Sequence, residues 1–383
     1  MAVMPSTSPL ANSFDLAVVG AGIVGLAHAA EAVARGLRVC VLERDDRAVG
    51  ASIRNFGHIA TTVQDGAALE YARVARERWL RLGTSGGFLV AEAGTVVVAR
   101  SAAQMGVLEE FAAARGVDQV RLLDRPGLAR LFPPACADGV SAEVVGGAHL
   151  PLDLRVDPRS ALPALAAWLV GEGVEIRWGT HVGTVEDGLL LSSRGELRAE
   201  RIVHAVGHDA DRLFPGIAQE YGLRRCRLRM LEVAPPSDVR IDPAVLSGLS
   251  MLRYGGLAAT PSAAAVRRDF EESAPELVDV AMNLMLTQRP DGSIVLGDTH
   301  HYARTHLPFD DEDITGLVLR EGGRLLGAPL TVRRRWVGVY ADAPATDFLV
   351  AAPYPGVRVV SVTSGIGMTT AFGLAPVVLD GLL

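Results

Sequence analysis

The chain has 383 residues, of which 49% are hydrophobic and 21% are charged. This length and balance predict a globular protein with one large domain or two closely packed domains, and they exclude disordered and fibrous chains. The 37 basic and 44 acidic residues give a net charge of -7, and the basic residues are scattered, so nucleic-acid binding is not expected. All the basic residues are arginine, which excludes Schiff-base catalysis and a P-loop.

The N-terminus and the cysteines indicate the compartment. The first 13 residues contain neither Lys nor Arg, so they lack the positive start of a signal peptide, and we expect a floppy extension. Cys40, Cys136 and Cys226 are odd in number and far apart. This pattern is not that of a metal site and suits a reduced compartment, so we expect a cytoplasmic protein, buried thiols and no metal.

Residues 16–42 have the pattern of a βαβ unit. They predict a strand over 16–19, a glycine turn, a helix over 23–35 that Gly36 ends, and a second strand over 38–42. Glycines and charged residues interrupt the apolar run, so a membrane helix is not expected.

The turn in this unit has the spacing G-x-G-x-x-G at Gly20, Gly22 and Gly25. The first glycine permits the turn, the second lets a pyrophosphate approach the backbone, and the third lets the helix pack on the strand. The helix N–H groups and dipole would hold the phosphates. Glu43 ends the second strand, where an acid binds ribose hydroxyls. The unit predicts a dinucleotide site; the alternative is a glycine-rich turn in an empty α/β core.

The next stretch, RDDRAVGASIRNFGHI, has a second small-residue turn at 50–52. Here the chain resembles the FAD-dependent amine and amino acid oxidases, a family that includes glycine oxidase, sarcosine oxidase and D-amino acid oxidase. In that family such a segment follows the ribose acid and runs along the cofactor. The resemblance recurs, in order, in DPRSALPALAAWLVGEGVEIRWGTHV (157–182), IVHAVGHDADRLFP from Ile202, and VRVVSVTSGIGMTTAFGLAPVVLDGLL (357–383).

The resemblance implies FAD as cofactor and a set of residues that contact it. The C-terminal glycine turn would place a helix N-terminus at the pyrimidine end of the flavin, where its dipole stabilises the negative charge of the reduced ring. The expected cofactor-binding residues are Gly20, Gly22, Gly25, Glu43, Arg44, Ala51, Ser52, Val182, Gly207, Gly365, Gly367, Met368 and Thr369.

The chain departs from the family in two ways. Sarcosine-type oxidases tether flavin through a cysteine just before the last FAD segment and use a lysine near the flavin to activate oxygen. The corresponding stretch here, RRRWVGVYADAPATDFLVA, has no cysteine, and the chain has no lysine. We therefore expect FAD to be held noncovalently, with O2 or another electron acceptor reoxidising it.

The segments between the FAD motifs indicate a second domain. Strand-like stretches lie at 87–100, 228–235, 282–302 and 330–340, and helical stretches lie at 66–82 and 103–115. Pro-Asp-Gly at 290–292 predicts a hairpin. The expected fold class is α/β and α+β, with a Rossmann-like FAD-binding domain and an interleaved antiparallel sheet that caps the flavin. The expected domains are 14–86, 150–222 and 341–383 for FAD, and 87–149 and 223–340 for the substrate.

Substrate contacts are expected to be few, because a flavin enzyme chiefly has to aim the substrate carbon in a dry pocket. Arginine suits a carboxylate or a phosphonate. The candidate substrate-binding residues are Arg54, Asn55, Arg253 and Tyr302, and the candidate catalytic residues are His300, His58 and Tyr254. The alternatives are ion pairing or solvent exposure for the arginines and simple packing for the rings.

A closer resemblance, in ASIRNFGHI, LRYGGL, GSIVLGDTHHY and GIGMTTAFGLA, is to a branch of the family associated with phosphonate breakdown. It implies oxidation of a small anionic amine, such as 2-aminoethylphosphonate or its N-methyl derivative, to an imine and then an aldehyde, with O2 reduced to hydrogen peroxide. The alternatives are a glycine, sarcosine or D-amino acid oxidase, a 2-hydroxy acid dehydrogenase with His58 or His300 as base, and a non-catalytic FAD-binding protein.

Overall fold

The computed structural model describes residues 13–133, 143–238 and 240–383. The predicted N-terminal extension, except for Ser13, and Cys136 lie outside these residues. In the described part of the chain the strands form two sheets of eight strands each and one short two-stranded pair.

The elements follow in chain order. The helices are α1 (Ile23–Ala34), α2 (Gly66–Gly86), α3 (Ala102–Arg115), α4 (Arg125–Leu131), α5 (Pro158–Gly171), α6 (Pro215–Glu220), α7 (Gly255–Ala258), α8 (Ala263–Ser273), α9 (Pro275–Asp279), α10 (Glu312–Leu326) and α11 (Gly367–Asp380). The strands are β1 (Ser13–Val19), β2 (Val39–Leu42), β3 (His58–Ile59), β4 (Thr95–Ala99), β5 (Arg121–Leu123), β6 (Gly146–Leu150), β7 (Leu154–Arg155), β8 (Glu175–Arg177), β9 (Val182–Glu186), β10 (Leu189–Ser192), β11 (Gly195–His204), β12 (Arg224–Val233), β13 (Ala244–Ser247), β14 (Met285–Gln288), β15 (Ile294–Ala303), β16 (Val332–Asp342), β17 (Phe348–Tyr354) and β18 (Val357–Val362).

The first sheet is built around the predicted βαβ unit. Its strands run in the order β17-β18-β11-β1-β2-β8, and β9 and β10 extend it from β11. Strand β1 pairs in parallel with both β2 and β11, and β8 and β18 continue the parallel pairing on either side. This arrangement is the predicted Rossmann-like architecture.

Residues 16–19 of β1 and the whole of β2 are apolar because both faces of the sheet are covered at its centre. Leu16 and Val18 of β1 belong to the core beneath helices α1, α2, α5 and α11. Ala17 and Val19, on the opposite face, pack with side chains of the β9–β10 hairpin. Alternate residues of one strand therefore serve two separate cores.

Helix α11 lies in the centre of the helical layer, and most of its residues are buried. Its Phe372 ring meets Trp79 of α2 edge to face, with ring centroids 5.0 Å apart. The indole N–H of Trp79 donates a hydrogen bond of 2.8 Å to the carbonyl oxygen of Met368. This contact fixes the first turn of α11 against α2.

The second sheet runs in the order β16-β12-β15-β14-β13-β4-β6-β5. The predicted hairpin is confirmed: β14 and β15 pair antiparallel on either side of the turn at 290–292. Two predictions need correction. Only residues 95–99 of the expected strand at 87–100 form a strand of this sheet, and the sheet is antiparallel except for the parallel pair β4–β13. Strands β4 and β13 are distant in sequence, so no hairpin constrained their relative direction.

The two sheets alternate along the chain. Strands of the first sheet come from residues 13–42, 175–204 and 348–362, and those of the second come from 95–150 and 224–342. The predicted fold class, with a capping sheet interleaved in sequence with the Rossmann-like part, is confirmed. No helix among the described residues is long and apolar enough to span a membrane.

The close packing of α11 on α2 generates a test. A Cβ on Gly373 would lie 2.1 Å from the carbonyl oxygen of Tyr71. We expect Gly373→Ala to destabilise the protein by about 1–3 kcal/mol through overpacking, measured by urea unfolding. The matched control is Gly316→Ala in α10, where a Cβ meets nothing within 4 Å. The control is expected to stabilise by about 0.5–1 kcal/mol through helix propensity, and equal effects of the two substitutions would contradict the packing argument.

Candidate active site

A cavity of about 650 Å³ opens at the carboxyl ends of β1, β2, β11 and β18. Its volume lies within the range of small-molecule and cofactor sites. Residues of the second sheet, including Leu228, Met285, His300 and Tyr340, complete its wall. The cavity therefore draws on both halves of the fold.

The glycine turn at the start of α1 forms one end of this cavity. Gly20 has φ +104°, and a Cβ there would lie 2.5 Å from the carbonyl oxygen of Ala205. A Cβ on Gly25 would lie 1.9 Å from the Gly20 carbonyl oxygen. Gly20 and Gly22 line the cavity, whereas Gly25 serves the helix–strand packing. No side chain larger than hydrogen fits at Gly20 or Gly25, as the G-x-G-x-x-G pattern predicts.

Glu43 and Ser52 complete the surroundings of the α1 N-terminus. The Glu43 carboxylate accepts the N–H of Ala21 at 2.8 Å and the N–H of Asp45 at 3.1 Å. The Ser52 hydroxyl oxygen accepts the N–H of Ile23 at 2.9 Å. Glu43, Ser52 and the neighbouring Ala51 all line the cavity. They lie beside the N–H groups that would hold a pyrophosphate.

Arg44 lines the cavity next to Glu43 but is held by an ion pair. Its guanidinium lies 2.8 Å from Asp209, which also lies 3.2 Å from Arg225. Burial favours the neutral form of Asp209, but His208, Arg44 and Arg225 overcome this and hold the pKa of Asp209 below its ordinary value. Arg44 therefore fixes the turn after β11 against the end of β2.

That turn includes the predicted Gly207, which has φ +63° and accepts a hydrogen bond of 3.0 Å from the Ser361 hydroxyl. Gly207 and Val182 line the same end of the cavity. His204, at the end of β11, also lines it and was not predicted. Burial lowers the pKa of His204 to about 4, so its imidazole is neutral at physiological pH. A histidine inside an apolar strand gave no sequence signal that distinguished it from core.

The N-terminus of α11 faces the cavity from the opposite side. Gly365 has φ +76° and lies against the Tyr340 ring, since a Cβ there would be 3.1 Å from Tyr340 Cζ. No side chain of its N-cap residue caps α11, and the N–H groups of Gly367 and Met368 make no hydrogen bond within the described chain, whereas that of Thr369 donates to the carbonyl oxygen of Ile366 at 3.0 Å. Gly365 and the predicted residues of this turn, Gly367, Met368 and Thr369, line the cavity. The positive end of the helix dipole points at the space between the two sheets.

The loop that carries Arg54 and Asn55 also forms part of the wall. The Asn55 amide nitrogen donates to the carbonyl oxygens of Ala51 and Ser52 at 3.0 Å each, and its Oδ1 accepts the N–H of Gly57 at 2.7 Å. Both polar atoms of the Asn55 side chain are thus used in hydrogen bonds that fix its own loop. The Arg54 side chain is exposed and donates to the carbonyl oxygen of Val337 at 3.2 Å.

His58 is buried in the cavity wall, and hydrogen bonds through Thr95 to Asp153 fix its ring. Its Nε2 lies 2.6 Å from the Thr95 hydroxyl, which donates to the Asp153 carboxylate at 2.7 Å. Because the Thr95 hydroxyl donates its hydrogen bond to Asp153, its oxygen accepts a hydrogen bond from the Nε2–H of His58. This assignment makes Nδ1 of His58 the accepting nitrogen, and Nδ1 has no partner among the described residues.

Arg253, Tyr254 and His300 line the part of the cavity away from the glycine turn, which is called its inner end. Nη2 of Arg253 donates to the Tyr340 hydroxyl at 3.1 Å and also to the carbonyl oxygen of Ser364. Burial raises the pKa of the Tyr254 phenol and lowers that of the His300 imidazole. At neutral pH, Tyr254 therefore keeps its proton and His300 is uncharged.

Tyr302 is not among the described residues that line the cavity. It is 36% exposed, and its ring lies under the Arg224 guanidinium at 4.4 Å. The Tyr302 ring also stacks on the His300 ring, with centroids 6.1 Å apart. The structure therefore places Tyr302 behind His300 rather than in the wall.

Among the further lining residues that the sequence did not indicate, four are polar or lie beside Arg253 and His300: Asn283, Met285, Asp298 and Tyr340. Asp298 had a signal, since it is an acid directly after the apolar run IVLG of β15. The other three lie in stretches whose composition is that of ordinary strands.

The residues that line the cavity have the geometry needed to bind FAD. Two helix N-termini that face the cavity, a glycine turn that admits no Cβ and the Glu43 carboxylate at the end of β2 provide what a dinucleotide requires. The remaining part of the cavity lies between α11 and the second sheet, where the flavin ring would be held.

Comparisons with known proteins agree with this geometry. The family described as FAD dependent oxidoreductase matches residues 15–380. L-proline dehydrogenase from P. horikoshii has TM-score 0.78 and 19% identity over 96% of this chain and 92% of that one. Glycine oxidase from Geobacillus kaustophilus has TM-score 0.76 and 16% identity over 97% and 94%.

A further solved structure, L-alpha-glycerophosphate oxidase from Mycoplasma pneumoniae with FAD bound, has TM-score 0.73 and 19% identity over 97% of this chain and 94% of that one. Identities of this size show a common fold. No curated protein sequence matches the chain significantly.

The position of Glu43 generates the second test. We expect Glu43→Ala to weaken FAD binding by about 10- to 100-fold, the effect of losing charge-assisted hydrogen bonds worth about 1.5–3 kcal/mol. Titration of the FAD-free protein, followed by quenching of flavin fluorescence, measures the affinity. The control is Glu186→Ala on the exposed side of β9, and its affinity should equal that of the wild type. An unchanged affinity in Glu43→Ala would show that Glu43 does not contact the cofactor.

Proposed function

We propose that this chain, which belongs to the FAD-dependent oxidoreductase family, oxidises the C–N bond of a small anionic primary or secondary amine. FAD is its cofactor. The product is an imine, which hydrolyses to an aldehyde. Bound FAD supplies the hydride acceptor, and the protein supplies binding, orientation and charge.

The observation that carries this proposal is the state of Arg253 at the inner end of the cavity. Its Nη2 is engaged by Tyr340 and Ser364, but Nε and Nη1 make no hydrogen bond to any residue in the described part of the chain. A permanently charged guanidinium with free donors is suited to a carboxylate or a phosphonate. Arg253 would therefore bind the anionic group of the substrate.

The neighbouring residues support oxidation beside this anchor. The N-terminus of α11, which begins at Gly367, has its positive dipole end at the cavity and would stabilise the negative charge of a reduced flavin bound there. Leu228 and Met285 give this end of the cavity an apolar wall. His300 and Tyr254 provide hydrogen-bonding groups that carry no charge at neutral pH.

We propose an aminophosphonate, 2-aminoethylphosphonate or its N-methyl derivative, as the substrate. This choice is supported by two of the four stretches that resemble the phosphonate branch, since Arg54, Asn55, Asp298 and His300 from these two stretches all line the cavity. A phosphonate carries up to two negative charges, and Arg54 at the wall would add a second cation to Arg253. Glycine or sarcosine is the runner-up, with a single carboxylate for Arg253.

FAD is proposed to be bound noncovalently, with O2 as electron acceptor and hydrogen peroxide as product. Cys40 and Cys226 do not line the cavity, and burial raises the pKa of both thiols to about 12. Neither is a reactive thiolate near the site. Arg253 would supply the positive charge that assists oxygen reduction in a chain without lysine.

A second candidate is oxidation of a 2-hydroxy acid. The specific observation in its favour is His58, whose Nδ1 is an accepting nitrogen without a partner in the described part of the chain and whose Nε2 is fixed through Thr95 to Asp153. A histidine held in this way can take the proton of a hydroxyl. The same experiment separates the two functions.

That experiment is anaerobic reduction of the purified FAD-loaded protein. We expect 2-aminoethylphosphonate or its N-methyl derivative to abolish the absorption of the oxidised flavin, with glycine and sarcosine less effective and glycolate and lactate without effect. Hydrogen peroxide should then appear when air is admitted. Bleaching by the hydroxy acids alone would reject amine oxidation, and a flavin that none of these compounds bleaches would favour the non-catalytic alternative.

The anion-binding role of Arg253 is tested by substitution. We expect Arg253→Met to raise the KM for the amine by about 100-fold, as for the loss of a buried charged hydrogen-bond partner. Arg253→Lys should recover only part of the loss, because it restores charge without the bidentate geometry.

Two other arginines provide the comparison for this test. Arg54→Ala is expected to raise KM less than Arg253→Met does. Arg333→Ala, at an exposed position of β16, should leave KM unchanged. If Arg54→Ala has the large effect and Arg253→Met has none, the anion binds at the cavity wall near Arg54 instead.

A further inference from the structure

Asp298 is an acid buried at the inner end of the cavity, and the function proposed above gives it no role. It lies on β15, is 3% exposed and contributes to the cavity wall with His300, two residues along the strand. An acid at such a depth without an ion pair is costly to keep, so its surroundings call for an explanation.

Those surroundings hold the carboxyl in place without neutralising it. The Asn283 side-chain amide donates to Asp298 Oδ1 at 2.8 Å, and the two residues exchange two backbone hydrogen bonds of 2.8 Å. No described Arg or His nitrogen lies within 4.0 Å of the carboxylate, and Oδ2 makes no hydrogen bond within the described chain. One oxygen is thus fixed, and the other is available to a ligand.

The other acids of the cavity wall are already engaged. Glu43 binds two backbone N–H groups, Asp45 lies 3.6 Å from Arg44, and Asp209 is paired with Arg44 and Arg225. All of them lie at the glycine-turn end, where the dinucleotide is expected. Among the described lining residues, Asp298 alone places an acid beside Arg253 and His300.

We propose that Asp298 binds the ammonium group of the substrate and accepts its proton before hydride transfer. This inference rests on the proposed amine oxidation. In the step, an N–H bond of the ammonium breaks, an O–H bond forms on the Asp298 carboxylate, and the electron pair stays on nitrogen. The lone pair then forms the C=N bond of an iminium ion as hydride leaves the adjacent carbon for bound FAD, which would accept both electrons, and loss of a proton from the iminium gives the imine. Arg253 holds the anion and Asp298 the cation, so a zwitterionic amine fits between them.

The electrostatics of the cluster agree with proton acceptance. Asp298 interacts electrostatically with His300 on the same strand, with Arg253 and Tyr254 of the cavity wall, and with Cys226 on β12. Burial raises the pKa of Asp298 above its ordinary value, although His300, Asn283 and Arg253 oppose the shift. A raised pKa makes the carboxylate a better proton acceptor. The ionised form is lost as pH falls through this pKa, so wild-type flavin reduction should slow at acidic pH.

The test compares Asp298→Asn with Asp291→Asn, the same change at the turn of the same hairpin. In Asp298→Asn the new amide keeps an oxygen that can accept from Asn283, and in Asp291→Asn it keeps the oxygen that accepts from Ser293. Anaerobic reduction of bound flavin by 2-aminoethylphosphonate is followed by stopped flow across the pH range. Glycine replaces it if glycine is the amine that bleaches the wild type.

We expect Asp298→Asn to reduce flavin about 100-fold or more slowly than the wild type at pH 7, the usual contribution of a general base. Its rate should rise about tenfold per pH unit towards the pKa of the amine, because the free amine then binds directly. Asp291→Asn should match the wild type.

A binding measurement separates this role from general damage to the site. The hydroxy isostere, 2-hydroxyethylphosphonate or glycolate, has no ammonium proton, and its binding is read from the shift it causes in flavin absorption. Asp298→Asn should bind it no more weakly than the wild type does.

Three outcomes would overturn the proposal. Equal rates and pH profiles in Asp298→Asn and the wild type remove the role of Asp298 and leave amine oxidation standing. A wild type that no amine reduces removes the proposed function and this inference with it. If Asp298→Asn does not load FAD, Asp298→Ala is compared instead, and a rate and pH profile identical to those of the wild type would exclude a carboxyl at this position as the proton acceptor.

Discussion

The contact of Gly25 with the carbonyl of Gly20 sets the geometry on which the site depends. A Cβ at Gly25 would lie 1.9 Å from that oxygen, so only glycine lets α1 begin directly against the end of β1. Gly20 in turn lies against Ala205 at the end of β11, and Ala21 donates its N–H to Glu43 at the end of β2. One turn thus fixes the ends of three neighbouring strands and directs the α1 N–H groups into the cavity.

A second link joins the capping sheet to the Rossmann-like part. Arg253 donates to the carbonyl of Ser364, in the turn before α11, and to Tyr340 of β16, whose ring lies against Gly365. The N-terminus of α11, the Arg253 guanidinium and the strand β16 are therefore positioned by one cluster. Because residues of both sheets meet there, a substrate and a flavin bound at this cluster would be held by a shared structure, which suits a reaction that needs their atoms aligned.

The sequence predicted best the features that depend on neighbouring residues. The βαβ unit, the three glycines and the hairpin at 290–292 follow from local conformational rules, and the structure has them where expected. The parallel pairing of β4 with β13 joins segments far apart in the chain, and no local pattern indicates it.

The residues of the site likewise depend on the fold. Asn55 and Tyr302 belong to stretches near the cavity, but only the fold shows that Asn55 is engaged by its own loop and that Tyr302 lies behind His300. Asn283 becomes significant only through its contact with Asp298, fifteen residues away.

Because the chain has no lysine, the positive charge of this cavity lies on arginine, and any group that exchanges a proton there is a different side chain. Arginine stays protonated at any physiological pH, so Arg253 can attract an anion but cannot exchange a proton. Burial keeps the proton on the Tyr254 phenol and removes the charge from His300. Substrates that arrive as ammonium ions must lose a proton before their nitrogen can share its electron pair. In the described wall near Arg253 the negatively charged group able to take that proton is Asp298, and its partner Asn283 holds it without removing its charge. Fixed positive charge and titratable negative charge thus lie on separate side chains, which is the arrangement that a zwitterionic amine requires.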